Sequence, residues 1–318
     1  MKSERNDQSP DMRVFHRRLI LRGTLTLRTG LRVGAGRDPW LETSELPVIK
    51  TTNGHPYIPG TSFKGAWRAT TESLLRGLQT ETGITNLACL SVPRLGERPS
   101  NEPDTCIYQA EVAWLKVTPP GQWHTHEDKA FGRRAGQVAN RPLDEALRVL
   151  SCYTCRVFGA PWLAGKVLAK DLLLSPGWTD LAQPQVRDGV AIARDKHTAA
   201  PKRKFAYEVV PVGTSFAFEV IVDNGSDAEL GLAWLGLLAF QQGQIPLGGA
   251  RSRGLGWCEL KVDWQRSQWL TQENLLASLF PEDPTRPAGI LAEEGPARAA
   301  EWWRTFLQEA GLKGSDDA

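Results

Sequence analysis

The stretch PYIPGTSFKGAWRATTESLLR, residues 56–76, changes within a few residues from extended chain to a helical pattern. Gly60 ends the extended part, and the hydroxyl of Thr61 or Ser62 is suited to cap a helix. Residues then recur at helical spacing at Phe63, Trp67, Thr70, Leu74 and Leu78. The pattern predicts an amphipathic helix that begins near residue 61 and buries one face.

Two cations follow the predicted start of this helix. Lys64 and Arg68 are four residues apart and therefore share a face one turn apart. Unpaired backbone N–H groups at a helix start, with the hydroxyl of Ser62 and two cations nearby, suit a phosphate. A capped amphipathic helix with ordinary solvated basic residues fits the same spacing.

Length and composition are those of a globular protein with a net charge close to zero. Its 318 residues are 41% hydrophobic, and 38 basic against 36 acidic residues give a net charge of +2. This balance neither requires nor excludes a nucleic-acid partner. Residues 281–318 are mostly acidic among their charged positions, so the rest of the chain is more basic than the total implies. The polar start and the absence of a bilayer-length apolar run predict a cytoplasmic protein with no membrane partner.

Strand and helix patterns lie on both sides of a long middle region. Apolar residues alternate with other residues over 19–27, 216–222 and 257–262, which is typical of half-buried strands. Residues 229–243 form an apolar run ended by glycine, which predicts a buried helix. This order favours an α+β fold with an antiparallel sheet, such as the ferredoxin-like or RNA-recognition arrangement.

Residues 79–155 break this pattern and predict an insertion with little regular structure. Proline, glycine and cysteine are scattered through it, and it ends near the motif CYTC. Four thiolates bind a structural zinc ion, and an insertion without an obvious core would gain most from one. The predicted zinc ligands are Cys89, Cys106, Cys152 and Cys155.

Other interpretations of the cysteines stay open. His124 or His126 is an alternative to one of the upstream cysteines, and buried free cysteines fit the same sequence. Cys258 alternates within a predicted strand and is expected in the core. Five cysteines in a chain of this length do not indicate a disulfide framework.

Two further segments combine flexible backbone with positive charge. Residues 185–208 predict a long hairpin with a cationic tip, which offers phosphate contacts or is simply solvated. The loop LGGARSRGLG, residues 247–256, lets backbone and arginines approach a ligand, and it lacks the spacing of a P-loop. The candidate RNA-binding residues of the two segments are Arg194, Lys196, Lys202, Arg203, Gly248, Gly249, Arg251 and Arg253.

The loop after Gly36 contains three carboxylates, Asp38, Glu42 and Glu45. Carboxylates beside a phosphodiester can hold Mg²⁺ or another divalent metal, or remove a proton from an attacking hydroxyl. Acidic residues in a surface loop are also commonly solvated without a catalytic role.

Several motifs together resemble the RAMP superfamily, specifically the crRNA-binding backbone subunit of type III CRISPR effector complexes. They are LRVGAG, ELPVIKTTNGHPYIPGTSFKGAWR, CYTCRVFG, EVVPVGTSFAFEV and IPLGGARSRGLGWCEL, in the order of the family. The resemblance implies an RNA-recognition palm over residues 12–264, a thumb hairpin near 185–208 and, in some branches, a zinc-bearing insertion. Residues 265–318 are expected to form a helical, partly disordered tail.

The resemblance also implies partners and site residues. Copies would stack along crRNA beside other effector subunits, and each thumb would kink the duplex of crRNA and target RNA. Ser62, Lys64 and Arg68 would contact the guide backbone, together with the glycine loop.

Catalytic members of the family cleave target RNA with an acidic residue just before the PVI segment, in a step that needs a divalent metal. The family residue is ordinarily aspartate, and the matching residue here is Glu45, with Asp38 as the second candidate. Glutamate is one methylene longer, so a non-catalytic structural subunit is the alternative. A guide-processing endonuclease is the third hypothesis. It would need a histidine-based general acid and base, and the histidines here, His55, His124, His126 and His197, form no evident pair.

The last segment carries an apolar group beside its charges. Its residues are Trp302, Trp303, Phe306 and Leu307. This group predicts a protein-docking patch on a peripheral tail.

Overall fold

The structure is a computed structural model that describes residues 14–36, 46–84, 86–89, 106–107, 109–193, 198–281 and 288–312. The side chains of residues 109–110, 190–193 and 198–204 lie outside this description. Within the described part, no helix has the length and apolar character needed to cross a bilayer.

Strands and helices alternate along the chain. The strands are β1 (Arg17–Leu27), β2 (Val167–Ala169), β3 (Gln185–Ala193), β4 (Thr198–Val209), β5 (Ser215–Asp223), β6 (Cys258–Val262) and β7 (Gln268–Thr271). The helices are α1 (Gly60–Thr82), α2 (Gln109–Val117), α3 (Lys129–Gln137), α4 (Leu143–Leu150), α5 (Tyr153–Phe158), α6 (Asp227–Gln241), α7 (Leu275–Leu279) and α8 (Glu294–Glu309). Short 3₁₀ helices occupy Pro120–Thr125 and Arg251–Arg253.

The main sheet has the strand order β2-β5-β1-β6, and its pairs are antiparallel. β7 extends the same edge as β6, because it pairs with the first residues of β1 while β6 pairs with the last. With α1 and α6, the four ordered strands follow the sequence β-α-β-β-α-β, which is a ferredoxin-like connection. The predicted α+β fold with an antiparallel sheet is therefore confirmed.

One face of the sheet packs against α1 and α6. Alternate residues of β1 enter the core, where Phe63 of α1 contacts Phe218 and Phe240. Trp67, one turn later, contacts Phe63 and Phe158. The indole N–H of Trp67 donates to the carbonyl of Ala233 on α6, at 3.0 Å. Burying such side chains contributes about 1.5–3 kcal/mol each, so this aromatic contact fixes both helices on the sheet.

The start of α1 differs from the prediction. The helix begins at Gly60, and neither Thr61 nor Ser62 caps it with a side-chain hydrogen bond. The Asp171 carboxylate, from the segment after β2, accepts the Gly60 N–H at 2.7 Å instead. A distant residue therefore supplies the cap that local sequence was expected to provide.

The buried stripe of α1 also follows a different spacing. Thr71 and Leu75 are buried, whereas Leu74 is 42% exposed. The stripe therefore continues from Trp67 in steps of four residues, because α6 and α5 cover that side of the helix.

The expectation of little regular structure in the insertion is wrong. Helices α2, α3, α4 and α5 occupy most of its described part. The first three pack around a separate apolar cluster, whereas Val157 and Phe158 of α5 belong to the main core. Trp123 and Phe131 are almost fully buried there. Small polar breaks between short helices concealed the helical periodicity, but the helices share enough apolar surface to form a core.

The C-terminal segment is not peripheral. β7 belongs to the main sheet, and α8 packs against α6 so closely that a Cβ at Gly231 would lie 2.1 Å from the carbonyl oxygen of Trp302. Trp302 and Phe306 are 3% and 0% exposed, so they form part of the main core. The predicted docking patch is therefore wrong for these two residues. Trp303 and Leu307 instead line an apolar groove.

β3 and β4 form a separate two-stranded antiparallel sheet. The predicted hairpin is thus present, with an irregular register between Val190 and Ile192. Its tip, residues 194–197, lies outside the described residues.

Candidate nucleic-acid interface

Three segments meet where β1 ends, and we call residues 30–36, 46–50 and 247–256 the loop junction. The N–H of Gly249 donates to the carbonyl of Arg32 at 2.8 Å, and the N–H of Ile49 donates to the carbonyl of Val33 at 2.9 Å. These bonds join the glycine loop and the segment after the acidic loop to one stretch of chain. The base of the hairpin is adjacent, since Leu31 exchanges backbone hydrogen bonds with Val210.

The glycine loop needs its glycines for two close approaches. Gly248 has φ 73°, and a Cβ there would lie 2.3 Å from the carbonyl oxygen of Arg32. Gly256 has φ 90°, and a Cβ there would lie 2.0 Å from the carbonyl oxygen of Leu247. Both combine a left-handed backbone with backbone contact, which only glycine accommodates without strain.

The loop presents its arginines to solvent. Arg251 and Arg253 form the short 3₁₀ turn, and both are exposed. The guanidinium of Arg253 lies 5.8 Å from the ring centroid of Phe205 on β4, which links the glycine loop to the hairpin. Exposed arginines on a tightly folded loop can bind phosphate with little rearrangement.

Arg32 belongs to the same surface and was not among the predicted residues. It is partly exposed, and its Nε is buried without a hydrogen-bond partner among the described residues. Its guanidinium lies between Gly34 and Gly249, because a Cβ at either glycine would be 3.3 Å from one of its nitrogens. The available signal was an arginine two residues before Gly34, within the motif LRVGAG.

Glu208 fixes the segment that follows the acidic loop, and it too escaped sequence reasoning. Its carboxylate accepts the N–H of Val48 at 3.0 Å and pairs with the ammonium of Lys50 at 2.9 Å. Its own N–H donates to the carbonyl of Leu46 at 3.1 Å. A charged residue inside an alternating strand was the only indication of this role.

Several predicted site residues lie outside the described part of the chain. Asp38, Glu42 and Glu45 belong to an undescribed segment, as do Arg194 and Lys196. Lys202 and Arg203 lie on β4, but their side chains are not described.

The predicted phosphate contacts on α1 are engaged with other parts of the protein. Lys64 donates to the carbonyl of Val167 at 2.7 Å, and burial, assisted by the charge of Arg68, lowers the pKa of Lys64. Arg68 pairs with Glu72 at 2.7 Å and donates to the carbonyl of Gly159 at 2.8 Å. Ser62 is partly exposed. Within the described residues, no hydrogen bond or ion pair joins these three side chains to the loop junction.

The open face of the main sheet carries paired charges. Arg18 pairs with Asp223 at 2.6 Å, and Glu219 pairs with both Arg22 and Lys170. Single-stranded RNA is commonly bound on sheets through stacked aromatic side chains. This face offers ion pairs instead, whereas Arg251 and Arg253 at the loop junction are exposed and have no ion-pair partner among the described residues.

The four predicted zinc ligands come together as one group. The Sγ atoms of Cys89, Cys106, Cys152 and Cys155 all lie within 4.8 Å of one another. Cys89 Sγ is 3.7 Å from that of Cys106 and 3.5 Å from that of Cys155, too far for disulfides. Sulfurs about 2.3 Å from a tetrahedral zinc are separated by about 3.8 Å, so these atoms can bind a metal of that size.

The histidine alternatives do not join this group. His126 stacks edge-on between Trp114 and Phe131, and its Nδ1 accepts the N–H of Asp128. In the described part of the chain, the potential metal ligands that cluster here are cysteines alone, without His124. Cys258 is separate and buried, and burial raises the pKa of its thiol to about 12, as expected for a core cysteine.

Basic side chains surround the cysteine cluster. Arg68 Nη2 lies 4.0 Å from the sulfur of Cys155, and Arg76 and Arg134 donate to the carbonyls of Cys89 and Cys106. Hydrogen bonds among the thiols lower the pKa of Cys106 and raise those of Cys152 and Cys155. Positive charge around the cluster favours thiolates, which are the form that binds a metal.

A sequence model of the RAMP superfamily matches residues 24–259. The match covers most of the chain and includes all three segments of the loop junction. The chain therefore belongs to the RAMP superfamily. A comparison with curated proteins finds no match.

Proposed function

We propose that this protein is a crRNA-binding backbone subunit of a type III CRISPR RNA-guided effector complex. Membership of the RAMP superfamily supports an RNA-binding role. The observation that carries the proposal is the loop junction, where Arg251 and Arg253 project from a rigid glycine loop beside the hairpin. In this role the main sheet is the palm and β3–β4 is the thumb.

The proposed binding mode is independent of RNA sequence. Arginines and exposed backbone contact phosphates, and such contacts fix the register of a nucleic acid without reading bases. The paired charges on the open sheet face argue against base stacking there. A guide with a variable spacer requires this kind of recognition.

We further propose that the acidic loop cleaves target RNA. A carboxylate, Glu45 or Asp38, would accept the proton of the 2′-hydroxyl, whose oxygen attacks the adjacent phosphorus while the bond to the 5′-oxygen breaks. A divalent metal such as Mg²⁺ would neutralise charge on the phosphate. The loop leaves the junction after Gly36 and returns at Leu46, which is held by Glu208.

The cysteine cluster is proposed to bind a structural zinc ion. Such an ion would join α5 to the residues at both ends of the segment between Cys89 and Cys106. It would stabilise the helical insertion rather than take part in cleavage.

Two alternatives are retained. The first is a structural backbone subunit that binds the guide RNA without cleaving the target. It differs from the main proposal only in that the acidic loop has no catalytic role. A guide-processing endonuclease is supported by His55, whose Nδ1 is buried without a partner among the described residues. His197, the other histidine whose replacement would test this function, lies outside the described residues.

Stacking along a guide can be tested by measuring how many copies bind one RNA. The chain is mixed with guide RNAs of two spacer lengths, and the mass of each complex is measured by light scattering. A backbone subunit binds more copies on the longer guide. One copy on both guides would contradict the proposal.

Cleavage is tested in the complex assembled with its neighbouring subunits and Mg²⁺. Glu45→Ala and Asp38→Ala are compared with Glu42→Ala, which removes a carboxylate from the same loop. Loss of cutting in one of the first two alone supports catalysis by that residue. Undiminished cutting in both, or none by the unaltered complex, would favour the structural alternative.

A further inference from the structure

The side chain of Arg32 is held at the loop junction in a way that internal contacts do not explain. Its Nε is buried, and no atom in the described part of the chain accepts its hydrogen bond. Among the described residues, no carboxylate forms an ion pair with it, whereas Arg28, four residues earlier, pairs with Glu259. A buried N–H without an acceptor is unfavourable for folding. The two terminal nitrogens of this partly exposed side chain also have no acceptor among the described residues, and an external acceptor can reach them.

Two glycines leave room around this guanidinium. Cβ atoms at Gly34 and Gly249 would lie 3.3 Å from Nη2 and Nη1 of Arg32, respectively. Neither glycine has a positive φ, so their backbone conformations do not by themselves require glycine. The absence of side chains at both positions is better explained by access to Arg32.

The position of Arg32 also selects the kind of ligand. Its carbonyl accepts the N–H of Gly249, so it is rigidly linked to the loop that presents Arg251 and Arg253. Three arginines on joined segments fit an extended polyanion, and the planar guanidinium matches two oxygens of a phosphate. A small anion would not need the exposed pair as well.

We propose that Arg32 binds a phosphodiester of the guide RNA. The inference rests on the proposed function and deepens it, because it assigns a guide contact to a residue inside the junction. It also predicts a measurable change in the salt dependence of RNA binding. Removing one phosphate contact to a single strand makes the dependence of log affinity on log salt shallower by about 0.7.

The test measures binding of the full-length chain to a fluorescent single-stranded RNA of guide sequence over a series of KCl concentrations. Arg32→Gln should weaken binding about tenfold at low salt and reduce the salt slope by about 0.7. Arg32→Lys should keep the slope but recover only part of the affinity, since lysine lacks the planar fork. The matched control is Arg304→Gln, which removes an exposed arginine from α8 and should change neither quantity.

Two further measurements separate binding from folding. Arg32→Gln should unfold at a temperature no lower than that of the unaltered chain, because no described protein group accepts from the Nε of Arg32 and its burial without an acceptor does not favour folding. Gly249→Ala retains every charge but crowds the guanidinium, so it should weaken binding about two- to threefold with little change in salt slope.

The possible failures are distinguishable. If the unaltered chain does not bind the guide, both the proposed function and this inference are overturned. If it binds and Arg32→Gln binds with the same affinity and slope, this inference alone is wrong. Loss of target cleavage with unchanged guide binding in Arg32→Gln would also overturn it.

Discussion

The carboxylate of Glu208 accepts the backbone N–H of Val48 at 3.0 Å, joining the base of the hairpin to the segment just after the acidic loop. The same carboxylate pairs with Lys50. Because Glu208 is almost fully buried, this contact restricts both segments together. The end of the proposed catalytic loop is therefore set by the hairpin.

Glu208→Ala tests whether the hairpin fixes the segment that follows the acidic loop. It leaves the N–H of Val48 without its acceptor, which costs about 1–3 kcal/mol for a buried group. Hydrogen exchange at the Val48 amide should become faster, and denaturant unfolding should show the loss of stability. Glu259→Gln, which breaks only the exposed pair with Arg28, should change stability by less than about 0.5 kcal/mol. Unchanged exchange at Val48 would contradict the account.

The cysteine cluster predicts about one zinc ion per chain. Elemental analysis of the purified protein measures it, and Cys155→Ser should lose most of the metal and lower the unfolding temperature. Cys258→Ser is the matched control, because that thiol lies in β6 outside the cluster and should leave the zinc content unchanged. Metal-free protein with all cysteines intact and reduced would refute the assignment.

A buried ion pair joins the segment before β2 to the start of α6. Lys166 and Glu229 are fully buried, their charged groups are 2.5 Å apart, and Glu229 also completes the capping box with Ser226. Burial raises the pKa of Glu229, but the charges of Lys166 and Arg156 outweigh it and leave the pKa below its ordinary value. The carboxylate is therefore charged in the folded protein.

Lys166→Met should destabilise the protein by about 3–5 kcal/mol, because it leaves that buried carboxylate without its closest partner. Adding Glu229→Gln should restore part of the loss, since the amide is neutral and can still accept the N–H of Ser226. Urea unfolding at pH 7 measures both variants. Lys170→Met, at an exposed lysine, serves as the control. Equal effects of the two lysine changes would argue against a buried pair.

The carboxylate of Glu229 also predicts how the free energy of unfolding depends on pH. A folded-state pKa below the unfolded value stabilises the protein fully above the unfolded pKa, about 4.3 for glutamate. That contribution is lost as pH falls through the lower folded pKa of Glu229. Stability measured from pH 6 down to pH 3 should therefore fall less steeply in Lys166→Met/Glu229→Gln. Parallel curves would rule out this contribution.

Helix α8 should behave as part of the core. Phe306 is fully buried and contacts Tyr153 edge-on, so Phe306→Ala should cost about 3–5 kcal/mol in urea unfolding. Leu276→Ala removes a side chain that is 69% exposed and should cost less than about 0.5 kcal/mol. A near-neutral Phe306→Ala would restore the docking interpretation of this segment.

The sheet and its two helices could be predicted from sequence because their periodicity is local. Apolar and other residues alternate from Leu19 to Leu27 in β1. The helix at 227–241 is apolar throughout because the sheet and α8 both cover it. The four cysteines were found for a similar reason, since CYTC is a compact signal.

The predictions that failed, and the site residues that were missed, depend on contacts between segments distant in sequence. Helix α8 has an apolar stripe that the sequence alone cannot distinguish from an external docking face, and only the packing of Gly231 against Trp302 decides it. The cap of α1 comes from Asp171, far along the chain. Arg32 and Glu208 acquire their roles from segments joined only in the folded protein.

The most direct test of the account is the identity of the RNA that the protein carries. The protein is purified with its native neighbouring subunits, and the bound RNA is extracted and sequenced. The account predicts RNAs that share one repeat-derived tag followed by varied spacers. Random fragments, or no RNA, would contradict the proposal that this chain binds a guide.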